Sequence, residues 1–489
     1  MKRRSFLTLL GVTTASVATV GCATKNTIKE PAFKKALRKK QDKKTRVVVI
    51  GGGFGGLNTA SAIKQNDPDN LIEVIVLEKN STYFACPMSN TLLSGDESFK
   101  KENFLFNYNA VQREYKFDVI ITEVMDIDRK EKVVYTAQGT LDFDYLVLAP
   151  GIDYNYEVEF PTWSEEKIKR AKLEAPGGLI SDGGVEHAVL LKQLEDFKAK
   201  GGKGNIIIVP PRTNLLKDLN TTVKFSSLVR CKPAAYERAC MIGDWIKRND
   251  LVGKAKVIIM DSSGRPQAKS LAFEQVFDEK YEGVIEYLGA SNIMDVDFDK
   301  KIVYFRDIND DAEYIKAPLS YEVLNLIPLQ KASPVIKMAD IETNNWGGAK
   351  LAHKKMYSIT DKHIFIVGDS AFFKKGVFKD NPKKAGGVPA AAQTAYSLAK
   401  ETGMLISKQI LENKDIDLVT FSASCFSMIS TSPDKLGIAI QKDFTYDKDG
   451  TMIIDEVVPK IDGKYYSKTS GEGLMGWFEG VTSDTFAKF

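Results

Sequence analysis

Residues 45–65, TRVVVIGGGFGGLNTASAIKQ, pass from an unbroken β-branched run through a glycine turn into a helical pattern. An alternating strand would leave one face in water, whereas Val47 to Ile50 is apolar on both sides, as in a parallel strand covered by helices. Gly51, Gly53 and Gly56 follow in G-x-G-x-x-G order, with Phe54 and Gly55 between them. Gly51 permits the tight turn, Gly53 lets the backbone approach a pyrophosphate, and the helix start meets that negative charge. A second apolar run, IEVIVLEKN, ends in Glu78 and Lys79. This puts an acid about twenty residues beyond the glycines, where a ribose hydroxyl is bound. The spacing therefore predicts a dinucleotide-binding βαβ unit.

The rest of the chain continues in α/β rhythm. FDVIITEVMDIDRKEKVVYTAQGTLDFDYLVLAPG reads as a strand, a meander with a polar turn, and a buried strand closed by Ala149 and Gly151. Far downstream, HIFIVGDSA places Gly368 and Asp369 after another buried strand, and GVPAAAQTAYSLAKETG reads as the next helix. The middle repeats the βαβ pattern: a helix HAVLLKQLEDFKAKG, a strand NIIIVPPRTN, a helix from Tyr236 to Arg248 and a strand KAKVIIMDSS. At its phosphate turn, however, stand Pro210, Pro211, Arg212 and Thr213. Proline has no N–H to offer and glycine's close approach is lost, so this unit is expected to keep the fold without binding a nicotinamide nucleotide.

A chain of 489 residues exceeds one ordinary core. With 68 basic against 64 acidic side chains, its net charge of +4 excludes a nucleic-acid footprint over the whole surface. MKRRSFLTLLGVTTASVATVGCATK has a basic start with paired arginines and a short apolar stretch. It reads as an export leader that resembles the twin-arginine type rather than a spanning helix. Cleavage near Gly21 to Ala23 and lipid attachment at Cys22 are both open. Lys25 to Arg46, Lys-rich and without apolar period, reads as a solvated tether. Export implies an oxidising compartment, which makes Cys86, Cys231, Cys240 and Cys425 candidates for pairing. No CxxCH is present, so haem would have to come from a partner. Three separated histidines, His187, His353 and His363, make a metal centre an unfavoured reading.

The order of YLVLAPG, a middle βαβ unit and IVGDSA resembles the flavoprotein disulfide reductases with two dinucleotide-binding domains. That resemblance implies FAD on the first unit, with Gly368-Asp369 at its ribityl chain and phosphate and the following helix aimed at the flavin ring. More specifically, five features resemble the flavoprotein subunit of flavocytochrome c sulfide dehydrogenase: GGGFGG, CPMSN at Cys86 to Asn90, the lost glycine turn ahead of RCKPAAYERA, IVGDSA, and CFS at Cys425 to Ser427. The implied cofactor contacts are Gly51, Gly53, Phe54, Gly55 and Gly56, then Glu78 and Lys79. Further along they are Cys86 and Asn90, then Val124, Ala149, Gly151, Gly368 and Asp369. The resemblance also nominates Cys86 for covalent flavin attachment and Cys231 as the catalytic half of a redox disulfide.

Arg230, Lys232 and a helix start are expected to lower the Cys231 thiol's pKa. The family's second cysteine follows a tryptophan, and here Trp346 is followed by Gly347. Three readings stay open: Cys231 pairs with another thiol such as Cys425, Cys240 being the poorer choice; Cys231 acts alone; or sulfide chemistry has been lost. The expected fold is α/β, with two Rossmann-like domains and a small α+β C-terminal domain. The expected divisions are an export signal over 1–23, a linker over 24–44, a first FAD-binding segment over 45–165, a degenerate NAD-like domain over 166–317, a second FAD-binding segment over 318–418 and a C-terminal interface domain over 419–489. The expected function is a periplasmic FAD-dependent oxidoreductase that oxidises sulfide or a related sulfur compound and passes electrons to a c-type cytochrome. The alternatives are a quinone-reducing relative, docked through the Trp477-Phe478 tail, and a partner subunit without sulfide chemistry.

Overall fold

A computed structural model describes residues 35–180, 183–212, 228–307 and 318–488. The leader with Cys22, residues 24–34 of the tether, and Thr213 lie outside the described residues. In chain order the elements that build the site begin with β1 (Thr45–Ile50), α1 (Phe54–Gln65), β2 (Ile72–Glu78) and β3 (Asp118–Ile121). A meander follows, β4 (Val124–Asp128), β5 (Val133–Thr136) and β6 (Gly139–Asp142), and then β7 (Tyr145–Leu148). The middle of the chain gives α2 (Val185–Ala199), β8 (Gly204–Val209), α3 (Ala234–Arg248), β9 (Ala255–Met260), α4 (Ser270–Lys280), β10 (Ile285–Leu288) and β11 (Val323–Leu326). Last come β12 (Ile364–Ile366), β13 (Gly376–Phe378), α5 (Ala392–Leu411), β14 (Thr420–Met428), β15 (Gly437–Tyr446), β16 (Met452–Val457) and α6 (Lys468–Phe486).

β1, β2, β3, β7 and β12 form a parallel sheet in the order β12-β7-β1-β2-β3. Two stretches far apart in sequence thus complete one sheet. Val47 to Val49 have no exposed surface, which explains the unbroken apolar run: helices and meander cover both faces. A second parallel sheet runs β10-β9-β8-β11. The third contains the antiparallel β14-β15-β16, with β13 parallel to β16 and a short edge piece, Ala385–Gly386. This last layer packs on both others: Phe421, Phe444 and Phe486 join the core around β1 and α1, while Met428, Ile438 and Leu474 join the core around β8 and β9.

The Lys-rich stretch departs from its expected tether character. Leu37 N donates to Thr140 O at 2.7 Å and Thr140 N donates to Lys35 O at 3.0 Å, so the segment lies along β6. Gly139 makes the approach possible, since a Cβ there would sit 2.5 Å from Lys35 O. Arg38 pairs with Asp118 and Lys40 with Asp144, each at 2.6 Å. Arg46, read as part of the tether, is fully buried in β1 and pairs with Glu73 at 2.7 Å and Asp142 at 2.6 Å. The charges that made the stretch look solvated are its docking contacts.

Candidate active site

Parallel strands in neighbouring positions bring their carboxyl ends together, and a crevice forms there. Here the ends of β1, β7 and β12 carry Gly51, Ala149 to Gly151, and Gly368-Asp369. Gly51 has φ 110°, and a Cβ on it would lie 2.2 Å from Ala149 O; one on Gly56 would lie 1.8 Å from Gly51 O. Both positions therefore admit only glycine. α1 starts at Phe54 and Gly55 behind an extended Gly53 with no side-chain cap, leaving its first N–H groups for an anion. Glu78 accepts from Gly52 N at 2.7 Å and Asn80 N at 2.9 Å, which holds the acid beside the turn, while Lys79 is exposed at the rim. Val124 lies in the apolar core with Ile50 and Leu77. Gly151 and Gly368 both take left-handed backbone, φ 74° and 81°.

Next to this edge lies a cleft of about 720 Å³ lined by Cys86, Arg230, Cys231, Glu237 and Cys425. The loop carrying Cys86 is folded on itself: Ser89 N and Oγ donate to Cys86 O at 3.0 and 2.7 Å. Ser89 Oγ also bonds His187 Nε2 at 3.0 Å. Arg230 joins two halves of the site, its Nε 2.8 Å from Asp369 Oδ2 and its Nη1 3.7 Å from Cys86 Sγ. Burial pushes the Cys86 thiol up, and Arg230 opposes it. Asn90, expected at the cofactor, lines the cleft and is held by the protein: Arg238 Nε donates to its Oδ1 at 3.0 Å, and its Nδ2 donates to Ala234 O and Glu237 Oε2, each at 3.3 Å. It ties the Cys86 loop to α3.

Cys231 occupies a left-handed turn at φ 48°, its N donating to Ala390 O at 3.0 Å and its O accepting from Ala234 N at 2.8 Å. The expectation of a lowered pKa is overturned. Burial raises the thiol well above the ordinary range, Glu237 and Cys425 add to the rise, and Arg230 only partly offsets it. Lys232 does not counter the rise: its own pKa is lowered by burial and by the neighbouring Lys442 and Lys375 cations. Cys240 is fully buried within the core around β8 and β9. Cys425 lies on β14 opposite Ile440. All four described cysteines are free thiols. Gly347, where the resemblance led to the expectation of a cysteine, has φ 79°, a turn that favours glycine, and a Cβ there would meet only Ala332 Cβ, at 3.7 Å.

Sequence reasoning did not find Glu237, whose carboxyl burial holds above the usual range. Its one signal was position: an acid in the first turn of α3, six residues beyond Cys231. Nor did it foresee how the second unit closes its own crevice. Arg212, just past β8, is buried against Glu159, its N donating to Oε1 at 3.1 Å, and its Nη1 donates to Ile293 O at 3.0 Å. Asp261, beyond β9 where a ribose acid would stand, is occupied by internal donors: Tyr236 Oη at 2.6 Å, Tyr287 Oη at 3.0 Å, Ser263 N at 2.9 Å and Gln267 Nε2 at 3.0 Å.

Residues 45–178 match the pyridine nucleotide-disulphide oxidoreductase family. Residues 220–328 match the family described as sulfide dehydrogenase (flavocytochrome c) flavoprotein chain, central. Among solved structures, the sulfide:quinone oxidoreductase of Aquifex aeolicus superposes with a TM-score of 0.62 at 17% identity, over 91% of this chain and 92% of that one. NDH2 of Plasmodium falciparum also gives 0.62, at 13% identity over 81% and 90%. A type II NADH:quinone oxidoreductase of Staphylococcus aureus is 32% identical over 111 residues, 23% of this chain. The chain spans about a quarter of the length of the curated relatives it matches, 27% in this case.

Sheet order, glycine turn and family match define an α/β protein with the fold of the pyridine nucleotide-disulphide oxidoreductases, built on two dinucleotide-type units. Within that class the central segment is the more particular mark. Over residues 220–328 the chain is similar to the flavoprotein chain of flavocytochrome c sulfide dehydrogenase.

Proposed function

We propose that this chain is an exported FAD-dependent oxidoreductase that takes electrons from sulfide or a related reduced sulfur compound at Cys231 and gives them to a c-type cytochrome. One observation carries the reading: Cys86, Cys231 and Cys425 line a single cleft with Arg230 and Glu237, beside the edge that holds Gly51 and Asp369. The residues fit the cofactor. The uncapped start of α1 suits the pyrophosphate, Glu78 a ribose, Asp369 the ribityl chain, and Cys86 a thioether to the ring. When bound, the flavin supplies acceptance of an electron pair and its release one electron at a time. The protein supplies the rest: Cys231 as the sulfur through which the donor's electron pair passes toward the ring, Glu237 as a buried carboxyl in the same cleft that can hold a proton, and Arg230 as the cation that steadies negative charge between Cys86 and Asp369. The domain division given above is part of the same proposal, as are periplasmic location and the cytochrome partner.

Two features favour a sulfur donor and a protein acceptor over the other pairings. Arg212 and Asp261 are consumed by internal bonds at the crevice where a nicotinamide nucleotide would bind. The aromatic tail suggested as a quinone-side docking element is turned inward, with Phe486 stacked on Phe106 at 4.5 Å and Phe104 against Phe478 at 5.6 Å. Among the described residues no helix is long and apolar enough to cross a membrane. The test is anaerobic: sulfide should bleach the bound flavin within one turnover, NADH should not, and cytochrome c should reoxidise it faster than a soluble quinone does. No bleaching at any sulfide concentration refutes the reading and favours a partner subunit without sulfide chemistry, the alternative that Gly347 suggests.

A further inference from the structure

Residues 374–387, KKGVFKDNPKKAGG, carry five lysines against one acid, Asp380, an excess as large as the whole chain's +4. They form the edge hairpin of the C-terminal sheet, with Gly376 opposite Gly386 and Val377 opposite Ala385. All five lysines flank the strands rather than lying in them, so protection of a sheet edge does not account for them. Lys379 pairs with Asp455, but Lys374, Lys375, Lys383 and Lys384 have no ion-pair partner among the described residues. Lys384 Nζ lies 4.2 Å and Lys442 Nζ 5.7 Å from the centre of the Phe378 ring. Lys232, next to Cys231, is close enough to Lys442 and Lys375 for both to depress its pKa beyond what burial does. The cations thus run as one band from the hairpin to the residue beside the cleft. The chain follows the same path: Ala390 O accepts from Cys231 N at 3.0 Å, and Ala391 and Gln393 line the cleft. Among the described residues, none of the exposed large apolar side chains falls between 374 and 387.

We propose that this lysine hairpin is the docking face for a separately diffusing haem protein of net negative charge, which meets it transiently by electrostatic steering and leaves with one electron. The inference rests on the cytochrome-reducing reading above and adds the acceptor's charge, its landing place and the short life of the complex. A permanent subunit interface is apolar at its centre and poor in lysine. This face is the reverse. Long solvated cations around a cleft suit fast encounter and fast release, and raise the association rate by about 10- to 1,000-fold at low salt. In each encounter one electron passes to a ferric haem and leaves it ferrous. Two encounters clear the electron pair that one oxidised sulfur donor supplies, and the donor's protons go to water.

The experiment uses the full-length holoprotein, reduced anaerobically with dithionite so that no sulfur donor is needed, and mixed by stopped flow with small soluble c-type cytochromes. The wild type should reduce a cytochrome of net negative charge at least about tenfold faster in about 10 mM salt than in about 500 mM. The triple variant Lys374→Glu, Lys375→Glu, Lys383→Glu keeps the Lys384 and Lys442 ring contacts. It should lose that advantage, converge with the wild type at high salt, and reduce a cytochrome of net positive charge faster than the wild type does. Lys198→Glu, Lys200→Glu, Lys203→Glu makes the same change of charge ahead of β8, at the other end of its sheet from the crevice, and should behave as the wild type. Salt-independent reduction, equal slowing in the second triple variant, or co-elution with the acidic cytochrome through gel filtration at high salt overturns the proposal. So does an equal slowing of sulfide bleaching in the hairpin variant, which assigns the lysines to the small anion, or hairpin-dependent binding to phosphatidylglycerol vesicles, which assigns them to a membrane. The two readings fail separately: rapid reduction of the acidic cytochrome unaffected by the hairpin variant sinks the docking face alone. A hairpin-dependent rate in a protein that sulfide never bleaches sinks the sulfur-oxidising function and leaves the docking face.

Discussion

His187 sits on α2 with 2% of its surface exposed, its ring against Phe84 at 5.1 Å and its Nε2 on Ser89 Oγ in the Cys86 loop. Among the described residues Nδ1 has no hydrogen-bonding partner. Burial, reinforced by the Arg238 cation, pushes the imidazole's pKa from 6.5 down to about 3. The folded protein therefore holds this ring neutral where the unfolded chain protonates it. Stability from this group is complete above pH about 6.5, the unfolded value, and is lost as the pH falls from there toward the folded value. Each unit costs about 1.4 kcal/mol, so at pH 5 the penalty is about 2 kcal/mol. Urea unfolding of the wild type and of His187→Gln at pH 7.5 and pH 5 isolates it, because the carboxylates that titrate in the same range are common to both. The wild type should lose about 2 kcal/mol more than the variant across that interval. Equal losses would refute the argument that a neutral buried ring holds the Cys86 loop.

Gly56→Ala places a methyl 1.8 Å from Gly51 O and should abolish flavin retention on gel filtration, whereas Gly476→Ala, whose Cβ meets nothing within 4 Å on α6, should raise stability by about 0.5–1 kcal/mol. Arg230→Met strands the Asp369 carboxylate and should cost about 3 kcal/mol in urea unfolding, part of which Asp369→Asn restores in the double variant. In fully reduced protein, iodoacetamide should alkylate Cys231 more than about tenfold slower at pH 7.5 than a free cysteine, with the rate rising as pH is raised, because burial keeps the thiol protonated. Phe486→Ala removes a ring stacked on Phe106 and edge-on to Phe54 at 6.1 Å, and should cost about 3–5 kcal/mol in urea unfolding without altering affinity for liposomes.

The first nucleotide unit was legible in the chain because its determinants are local. A β-branched run, two glycines whose Cβ atoms would collide with the backbone, and an acid at the end of the next strand all act within one βαβ segment. The parallel sheets, the meander and the degenerate middle turn followed from the same short-range signals. Charge misled where its partners were remote: Lys35 to Arg46 looks solvated until Asp118, Asp142 and Asp144 are brought alongside. The site divides in the same way. Sequence marked Cys86, Cys231 and Asp369 one at a time, but only folding sets Arg230 between Cys86 and Asp369 and carries Cys425 on β14 into the cleft of Cys231. The thiol's raised pKa belongs to that second class, since adjacent basic residues are visible in the chain and the burial that outweighs them is not. Backbone preference is decided by neighbouring residues, whereas desolvation and charge pairing are decided by whatever the fold packs against a group.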